Sequence, residues 1–501
     1  MTHPTTASPT PSARPKSADS DVTAFERILK PLASLRITVV LFALSIFLTF
    51  VGTTMQVRFG IWTIVDELFR SVIARIEIAS IFIYAWDIPG VIYFPGGWLI
   101  GGALLVNLIA AHAIRFRIKA QGRDLVLGSI VLLIGIGVTW LVLAGKLQSD
   151  VATSSSDAFW RVLWRLGQGI IAAVVLYAGC LLLFRKRAGM VLLHAGIILL
   201  LISELITGLF AVESRMTIAE GETVNYVDRQ FDYEFAVIDT SNPEHDVVTS
   251  IPVGDSVRRG DRISPPGLPF DIKVEQWMVN STIPMSMSQV GPPMQARNLA
   301  TTGEGRRFLI LPRPEGAGVD AGSGVDTPSA YITLFDRTSG TPLGTYLTSL
   351  WFYPNHNRRV MDVPQTVTAD GKTYSIYLRN QREYLTSAAD RSPFDIKLLD
   401  FRHEVYPGTT RPKDFSSFIR LTDADRGVDR EVRIWMNNPL RYAGLTFYQS
   451  SFLDGDTGTV LQVVRNVGWM VPYVSCMIVG MGMAGHFGQH LLEFLRKRRQ
   501  A

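Results

Sequence analysis

Residues 185–212 read RKRAGMVLLHAGIILLLISELITGLFAV. Three cations precede the run Ala188–Val212, which is apolar apart from His194, Ser203, Glu204 and Thr207. A run of that length is enough to cross a bilayer, which takes about 20 predominantly apolar residues. Its basic end belongs on the cytoplasmic side. Directly after it the pattern changes. From Arg215 to Arg465 short alternating runs are separated by Gly, Pro, Asp and Asn, which is the signature of strands and turns. The junction therefore separates a membrane region from a β-rich region.

Working outward, five further apolar runs fit crossings. Ile37–Met55 reads as an uncleaved signal anchor, because no small-residue cleavage pattern follows it. Trp98–Ile114, Leu125–Gly145 and Gly167–Phe184 follow, and Val467–Gly485 is the last. Basic clusters test the count. Arg27, Lys30 and Arg36, then Arg115 to Arg123, Arg185 to Arg187, and Arg496 to Arg499 all fall inside if both termini are cytoplasmic.

The expected architecture is a mixed membrane protein, with a six-helix transmembrane region and a large, mainly antiparallel β extracytoplasmic domain. Its parts are a disordered cytoplasmic tail (1–30), a membrane region (31–212) with helices at 37–55, 98–114, 125–145, 167–184 and 188–212, an outer domain (213–465), and a sixth helix with a basic tail (466–501). Ile61–Glu77 carries a helical apolar stripe opposed by Asp66, Glu67, Arg70 and Arg75. It reads as an amphipathic helix on the outer surface, lying either on the membrane or on the outer loop.

Composition agrees with a mixed design. Of 501 residues, 47% are hydrophobic and 19% charged, and the mean hydropathy is +0.20. That is too apolar for an ordinary soluble protein and too polar for one made of membrane helices alone. The net charge of +5 is mild and its basic excess lies beside apolar runs, so no nucleic-acid role is suggested. Cys180 and Cys476 are the only cysteines, both inside apolar runs. Thioredoxin-like redox chemistry, haem attached covalently to this chain and a disulfide scaffold are excluded. Both cysteines read as small packing residues.

Inside the outer domain, Asp370–Gly371 and Asp454–Gly455 mark turns before Thr373–Leu378 and Thr459–Val464. Pro269-Phe-Asp-Ile-Lys273 is echoed at Pro393-Phe-Asp-Ile-Lys397, as two related β modules would produce. Gly316–Gly324 reads as a connector. His245, His356 and His403 are scattered, no catalytic constellation stands out, and no catalytic residue is assigned. The domain reads as a docking or shielding surface.

Ionisable groups within a span are costly and each needs a reason. His194 lies about 10 Å along the helix from Arg187, at ~1.5 Å per residue. Glu204 is about 15 Å further and rotated by roughly 80°, so the two are not direct partners. His112 ends the second span, and His486 and His490 share a face at the end of the last. Spans two, five and six can thus bring imidazoles together near the inner leaflet, where two on separate helices would hold a haem between them. The plainer alternative for His194, His112, His490 and His486 is a hydrogen-bonded interfacial histidine. Glu204 reads either as a relay or as a carboxyl that snorkels outward.

These pieces fall in a familiar order. Leu32-Ala-Ser-Leu-Arg36 opens a span ending in Gly52-Thr53-Thr54, an Asn107-containing second span follows, and His194-Ala-Gly196 leads to Ile218-Ala-Glu-Gly-Glu222. Further on come Ser392-Pro-Phe-Asp-Ile-Lys397, Tyr406-Pro-Gly408, Pro412-Lys-Asp-Phe-Ser416, Asn438-Pro-Leu-Arg-Tyr-Ala-Gly-Leu-Thr-Phe-Tyr-Gln-Ser-Ser451 and Arg465-Asn-Val-Gly468. Taken together the chain resembles the ResB (CcsB) family of cytochrome c biogenesis proteins. The resemblance implies a subunit of a system II cytochrome c synthase in the bacterial cytoplasmic membrane. It implies a ResC/CcsA-like membrane partner, haem b as a transient cofactor, and apocytochrome c as the recipient. It also implies that His194 is the haem axial ligand, with His112, His490 and His486 as weaker candidates. The Trp-rich haem-handling motif of the partner is absent here. Leu125–Phe184 departs from the four-span family pattern as an added pair. The competing expectations are a cofactor-free assembly scaffold docking proteins through the outer β domain, and a transporter component or sensor. No inverted repeat is visible for the transporter, and no cytoplasmic output domain for the sensor.

Overall fold

The structure, a computed structural model, describes residues 24–56, 59, 61–81, 88–116, 118–146, 158–242, 244–258, 260–315, 326–354, 362–386, 392–408 and 412–500. Residues 1–23, the connector 316–324 and His356 lie outside the described residues. The principal helices are α1 (Ala24–Leu32), α2 (Leu35–Met55), α3 (Gly97–Arg115), α4 (Arg123–Leu143), α5 (Ala158–Phe184), α6 (Ala188–Phe210) and α7 (Val471–Gln500).

Residues 24–30, expected in the disordered tail, are helical instead. Phe25, Ile28, Leu29 and Leu32 recur at helical spacing there, a pattern outweighed in the sequence by the Ser/Thr/Pro-rich residues before it. Asn107 of α3 then secures the corner between α1 and α2. It is buried, and its Nδ2 donates to the carbonyls of Leu32 (2.5 Å) and Ser34 (3.1 Å), while its Oδ1 accepts from Thr38 Oγ1 (2.6 Å). One side chain thereby satisfies the Leu32 carbonyl, which the end of α1 leaves open, and reaches the carbonyl of Ser34, the N-cap of α2, which also accepts from Thr38 N.

Four helical stretches are long and apolar enough to cross a membrane: Leu35–Met55, Gly97–Arg115, Arg123–Leu143 and Leu163–Phe210. The fourth comprises most of α5 and all of α6, joined by a single 3-10 turn at Arg185–Arg187. Two helix groups form. In one, α2 and α3 pack with residues 61–77 around Leu48, Val51, Leu68 and Ile100. In the other, α4, α5, α6 and α7 share a core containing Leu176, Cys180, Leu192, Val474 and Ile478.

The segment 61–77 is not one amphipathic helix. It is a short helix (Ile61–Ile64), a π turn (Val65–Phe69) and a strand, Ile73–Glu77, paired antiparallel with Val91–Pro95. In that strand Ala74 and Ile76 are buried while Ile73 and Arg75 alternate outward, so period two prevails over the helical stripe. The segment touches the outer region through Thr63 Oγ1, which donates to Glu315 Oε1 at 2.7 Å.

All strand pairs of the outer region are antiparallel among the described residues. One long sheet runs in the order Gln365–Ala369, Lys372–Tyr384, Tyr226–Asp239, Val212–Ala219, Gly458–Arg465, Leu445–Phe452, Leu440–Tyr442, with Val247–Pro252 also on Tyr226–Asp239. Asp370 and Gly371, at φ 54° and 74°, make the tight turn between the first two strands. Positive φ at both positions is what a two-residue hairpin needs, and Asp-Gly supplies it.

Two four-stranded sheets pack on this long one. The first is built on Phe270–Met278 and Ser329–Asp336, and the second on Asp395–Val405 and Pro412–Asp423. Each encloses its own core. One core holds Phe235, Ile272, Ile332 and Ile376; the other holds Ile218, Ile396, Ile419 and Leu461. The two Pro-Phe-Asp-Ile-Lys copies lie one in each core. Phe270 and Phe394 are fully buried, and each meets a tyrosine edge-on, Tyr374 at 5.5 Å and Tyr442 at 5.0 Å.

Where the strand Tyr226–Asp239 passes from one core to the other, beside Lys372–Tyr384, the two strands carry charge. Arg379 Nε bonds Glu234 Oε1 at 2.7 Å, the two side chains being 5% and 1% exposed, and Ser250 Oγ also donates to Glu234. Nearby, the Arg382 guanidinium lies 3.9 Å over the Tyr226 ring and donates to the Tyr226 and Tyr353 hydroxyls. Burial pushes Asp228 up to about 6, against the pull of Arg382 and Arg379.

Two outcomes are expected. Replacing Arg379 by Met strands the Glu234 carboxylate and should cost on the order of 3–5 kcal/mol, whereas Glu234→Leu with Arg379→Met should recover most of it. Denaturant unfolding followed by tryptophan fluorescence measures both; equal losses in single and double variants would contradict this. For Asp228, a folded-state pKa above the unfolded value favours the fold when the group is protonated. Its contribution is full below pH 3.8 and lost as pH rises through about 6. Asp228→Asn should flatten stability across that window, and an unchanged slope would count against the assignment.

Candidate functional site

The helix α3 ends, and α6 begins, on the side of the bundle where the basic loops gather. Arg187 Nη1 donates to the Arg115 carbonyl (2.9 Å), and Arg115 Nη2 to the Ala33 carbonyl (3.3 Å). Lys186 Nζ meets Glu493 Oε1 of α7 at 2.6 Å, and Arg185 lies 3.7 Å from Asp124 of α4. Exposed contacts of this kind contribute little energy. They do tie the ends of α3, α4, α6 and α7 to one level.

His112 and His194 face each other just inside that level. His112 is in the last turn of α3, and His194 is six residues into α6, about 9 Å from its start at ~1.5 Å per residue. Their ring centroids are 6.2 Å apart with planes at 64°. Phe116, four residues after His112, touches both rings, at 5.0 Å and 5.4 Å. Each histidine is half-buried, and each Nδ1 is buried with no hydrogen-bond partner among the described residues. A buried polar atom left without a partner costs about 1–3 kcal/mol. The pair also lies on the seam between the two helix groups, since α3 belongs to one and α6 to the other.

A neutral imidazole nitrogen is a good axial ligand for haem iron. The two partnerless nitrogens between apolar helices fit that group as a donor set.

His486 and His490 form a separate pair, with centroids 4.6 Å apart and planes at 82°. Among the described residues neither ring touches His112 or His194. His486 lies where the backbones of α6 and α7 come closest. A Cβ on Gly189 would stand 2.6 Å from His486 N, and one on Gly482 would stand 2.6 Å from Leu193 N, so only glycine permits the crossing. The expected gathering of imidazoles is thus two pairs.

The remaining candidates are placed plainly. Glu204 is exposed on α6. Cys180 is in the bundle core, whereas Cys476 faces outward. In the outer region His403 is locally bonded, its Nδ1 2.9 Å from Asp456 Oδ1 and its ring 4.6 Å from both Phe415 and Phe452. His245 is at the surface, 3.3 Å from Asn242. Phe116 was not anticipated, although its i, i+4 spacing from His112 places the two on one helix face. The Arg382–Tyr226–Tyr353 cluster leaves no local signal, because its members are 29 and 156 residues apart in sequence.

Residues 358–477 match the ResB-like family. The stretch covers the Gln365–Tyr384 hairpin, the Asp395–Trp435 sheet, the last strands of the long sheet and the start of α7. Protein NrfI of Wolinella succinogenes is 33% identical over 91 residues, which is 18% of this chain. The matched part spans only 10% of that relative's own length. The family match falls on the Ser392–Gly468 motifs on which the resemblance leans most heavily.

Proposed function

We propose that this ResB-like chain serves cytochrome c biogenesis as the membrane subunit of a system II synthase. With a ResC/CcsA-like partner it carries haem b across the bacterial cytoplasmic membrane and delivers it to apocytochrome c. The observation that supports this best is the imidazole pair between α3 and α6, with partnerless nitrogens in a setting where a polar atom needs a use.

Helices α2 to α7 make six crossings in this reading, with both termini cytoplasmic and the β region outside. The gathering of Arg115, Arg185 to Arg187 and the basic end of α7 on one side of the bundle supports that orientation. Two added crossings, α4 and α5, leave the orientation of α6 unchanged, and α5 packs directly on α6 and α7.

When bound, haem would supply an iron atom for an imidazole nitrogen to hold and vinyl groups for reaction with the thiols of an apocytochrome. The chain's own residues do the rest. His194 presents a neutral nitrogen from a helix whose angle is fixed by α7. Phe116 and the surrounding aliphatic side chains exclude water. The β region, whose long sheet begins where α6 ends, offers exposed Val405, Tyr406, Trp435 and Met436 as a surface for protein contact. That surface is also what a cofactor-free scaffold would use, so the experiment must separate the two.

Deleting the gene should abolish covalent cytochrome c while b-type cytochromes persist; normal c-type levels would reject the assignment. His194→Ala should lower haem occupancy of the purified complex, and added imidazole should restore it. Unchanged occupancy together with unchanged cytochrome c yield would favour the scaffold.

A further inference from the structure

We infer that Arg115 and Arg187 hold the phosphate of an anionic phospholipid at the mouth of the seam between α3 and α6. The inference takes from the reading above only the placement of this end of the bundle in the cytoplasmic leaflet, and it makes no use of haem.

The first observation is charge. Of the cations at this level, Arg185 and Lys186 have carboxylate partners in Asp124 and Glu493. Arg115 and Arg187 meet no carboxylate among the described residues. Each donates instead to a backbone carbonyl, Arg187 Nη1 to Arg115 O at 2.9 Å and Arg115 Nη2 to Ala33 O at 3.3 Å. A carbonyl orients a guanidinium without neutralising it, and each guanidinium carries five N–H donors.

The second is placement. The guanidinium of Arg187 rests on the backbone of Arg115, so two like charges gather at the corner where α3 ends and α6 begins. Left to themselves they repel. An anion between them turns that repulsion into attraction, and arginine meets phosphate through short, paired, charge-assisted hydrogen bonds.

The third is the character of the surface that leads away from the two cations. Residues three or four apart on a helix are neighbours. On α6 that spacing runs from Arg187 to Met190 to His194, and on α3 from Arg115 to His112 to Ile109. Met190 and Ile109 are 38% and 46% exposed. A cationic mouth therefore opens on apolar side chains, on the seam between two helix groups. That combination fits an amphiphile with an anionic head and fatty chains, whereas free phosphate would use the mouth alone. The cytoplasmic leaflet presents anionic headgroups at this depth, and basic pockets between helices on that side bind them.

The test takes the full-length chain in mild detergent, free of haem, and measures phosphatidylglycerol binding by native mass spectrometry and by the rise in thermal midpoint. One tightly held phosphatidylglycerol is expected. Phosphatidylcholine, which has the same phosphate but no net charge, should bind roughly tenfold more weakly. That preference tests the site in the parent protein, and equal binding of the two lipids would overturn it. Replacing both arginines (Arg115→Gln with Arg187→Gln) should weaken phosphatidylglycerol binding roughly tenfold with an unchanged gel-filtration profile. Lys186→Gln, which removes a cation already paired with Glu493, should bind as the parent does. Equal weakening by Lys186→Gln would mean diffuse attraction to a basic surface and would contradict the proposal. Inorganic phosphate that displaces the lipid at comparable concentration would make this a free-anion site and overturn the lipid assignment. Ferric protoporphyrin IX binding that needs both arginines, in a chain that holds no phospholipid, would assign the guanidiniums to haem carboxylates and likewise overturn it. The leaflet is checked separately. Gln500→Cys should react with a membrane-impermeant maleimide beyond the parent's background only in opened cells; reaction in intact cells would overturn the orientation taken from the reading above, whatever the lipid measurements give.

Discussion

The pairing of Val212–Ala219 with Gly458–Arg465 is the constraint on which the rest of the molecule depends. The first strand continues α6 after one residue and the second leads into α7, so their register sets the two helices side by side. Val212 opposite Arg465 marks the bundle end of that ladder. Below it Asn466 reaches Thr207, and further down Gly196 and Gly189 let α7 lie against α6 backbone to backbone. Where apolar side chains and lipid tails are equally oily, close approach through small residues is the main source of helix–helix attraction. The β region therefore orients α6, and α6 orients His194.

The outer region solves a different problem. One long sheet serves two cores, with a four-stranded sheet covering each; the strand Tyr226–Asp239 belongs to both, and Lys372–Tyr384 lines the first and leads directly to Leu385 in the second. The Arg379–Glu234 pair and the Arg382 cluster lie on this shared stretch. A buried ion pair adds little net stability over apolar side chains, but it tolerates one partner at one distance, and that pins the register of the two strands.

Much of this was legible in the sequence. The apolar runs, their basic flanks and the change to alternating residues after Val212 are local patterns, and the structure has a helix over each run and antiparallel strands beyond. The Asp370–Gly371 hairpin and the paired Phe270 and Phe394 motifs were readable for the same reason. The segment 61–77 was not, because Ile61, Val65, Leu68, Phe69, Val72 and Ile76 satisfy a helical stripe while the pairing of Ile73–Glu77 with Val91–Pro95 depends on residues further along the chain, from Glu77 opposite Val91 to Ile73 opposite Pro95. Within the site, His194 and His112 could each be named as buried polar groups. That they face each other, with His486 and His490 apart, depends on how α3, α6 and α7 cross, and helical periodicity carries no information about that.

The functional account reduces to what two imidazole nitrogens do at a helix seam. In the helix bundle His112, His194 and His486 each bury an Nδ1 without a hydrogen-bond partner among the described residues, and haem iron is the use that the proposed function gives to His194. The most direct measurement is the visible absorption spectrum of the intact chain isolated together with the proposed ResC-like partner from cells actively making cytochrome c. The account predicts the bands of a bound, non-covalent b-type haem in stoichiometric amount. A colourless assembly that still supports thioether formation would contradict it.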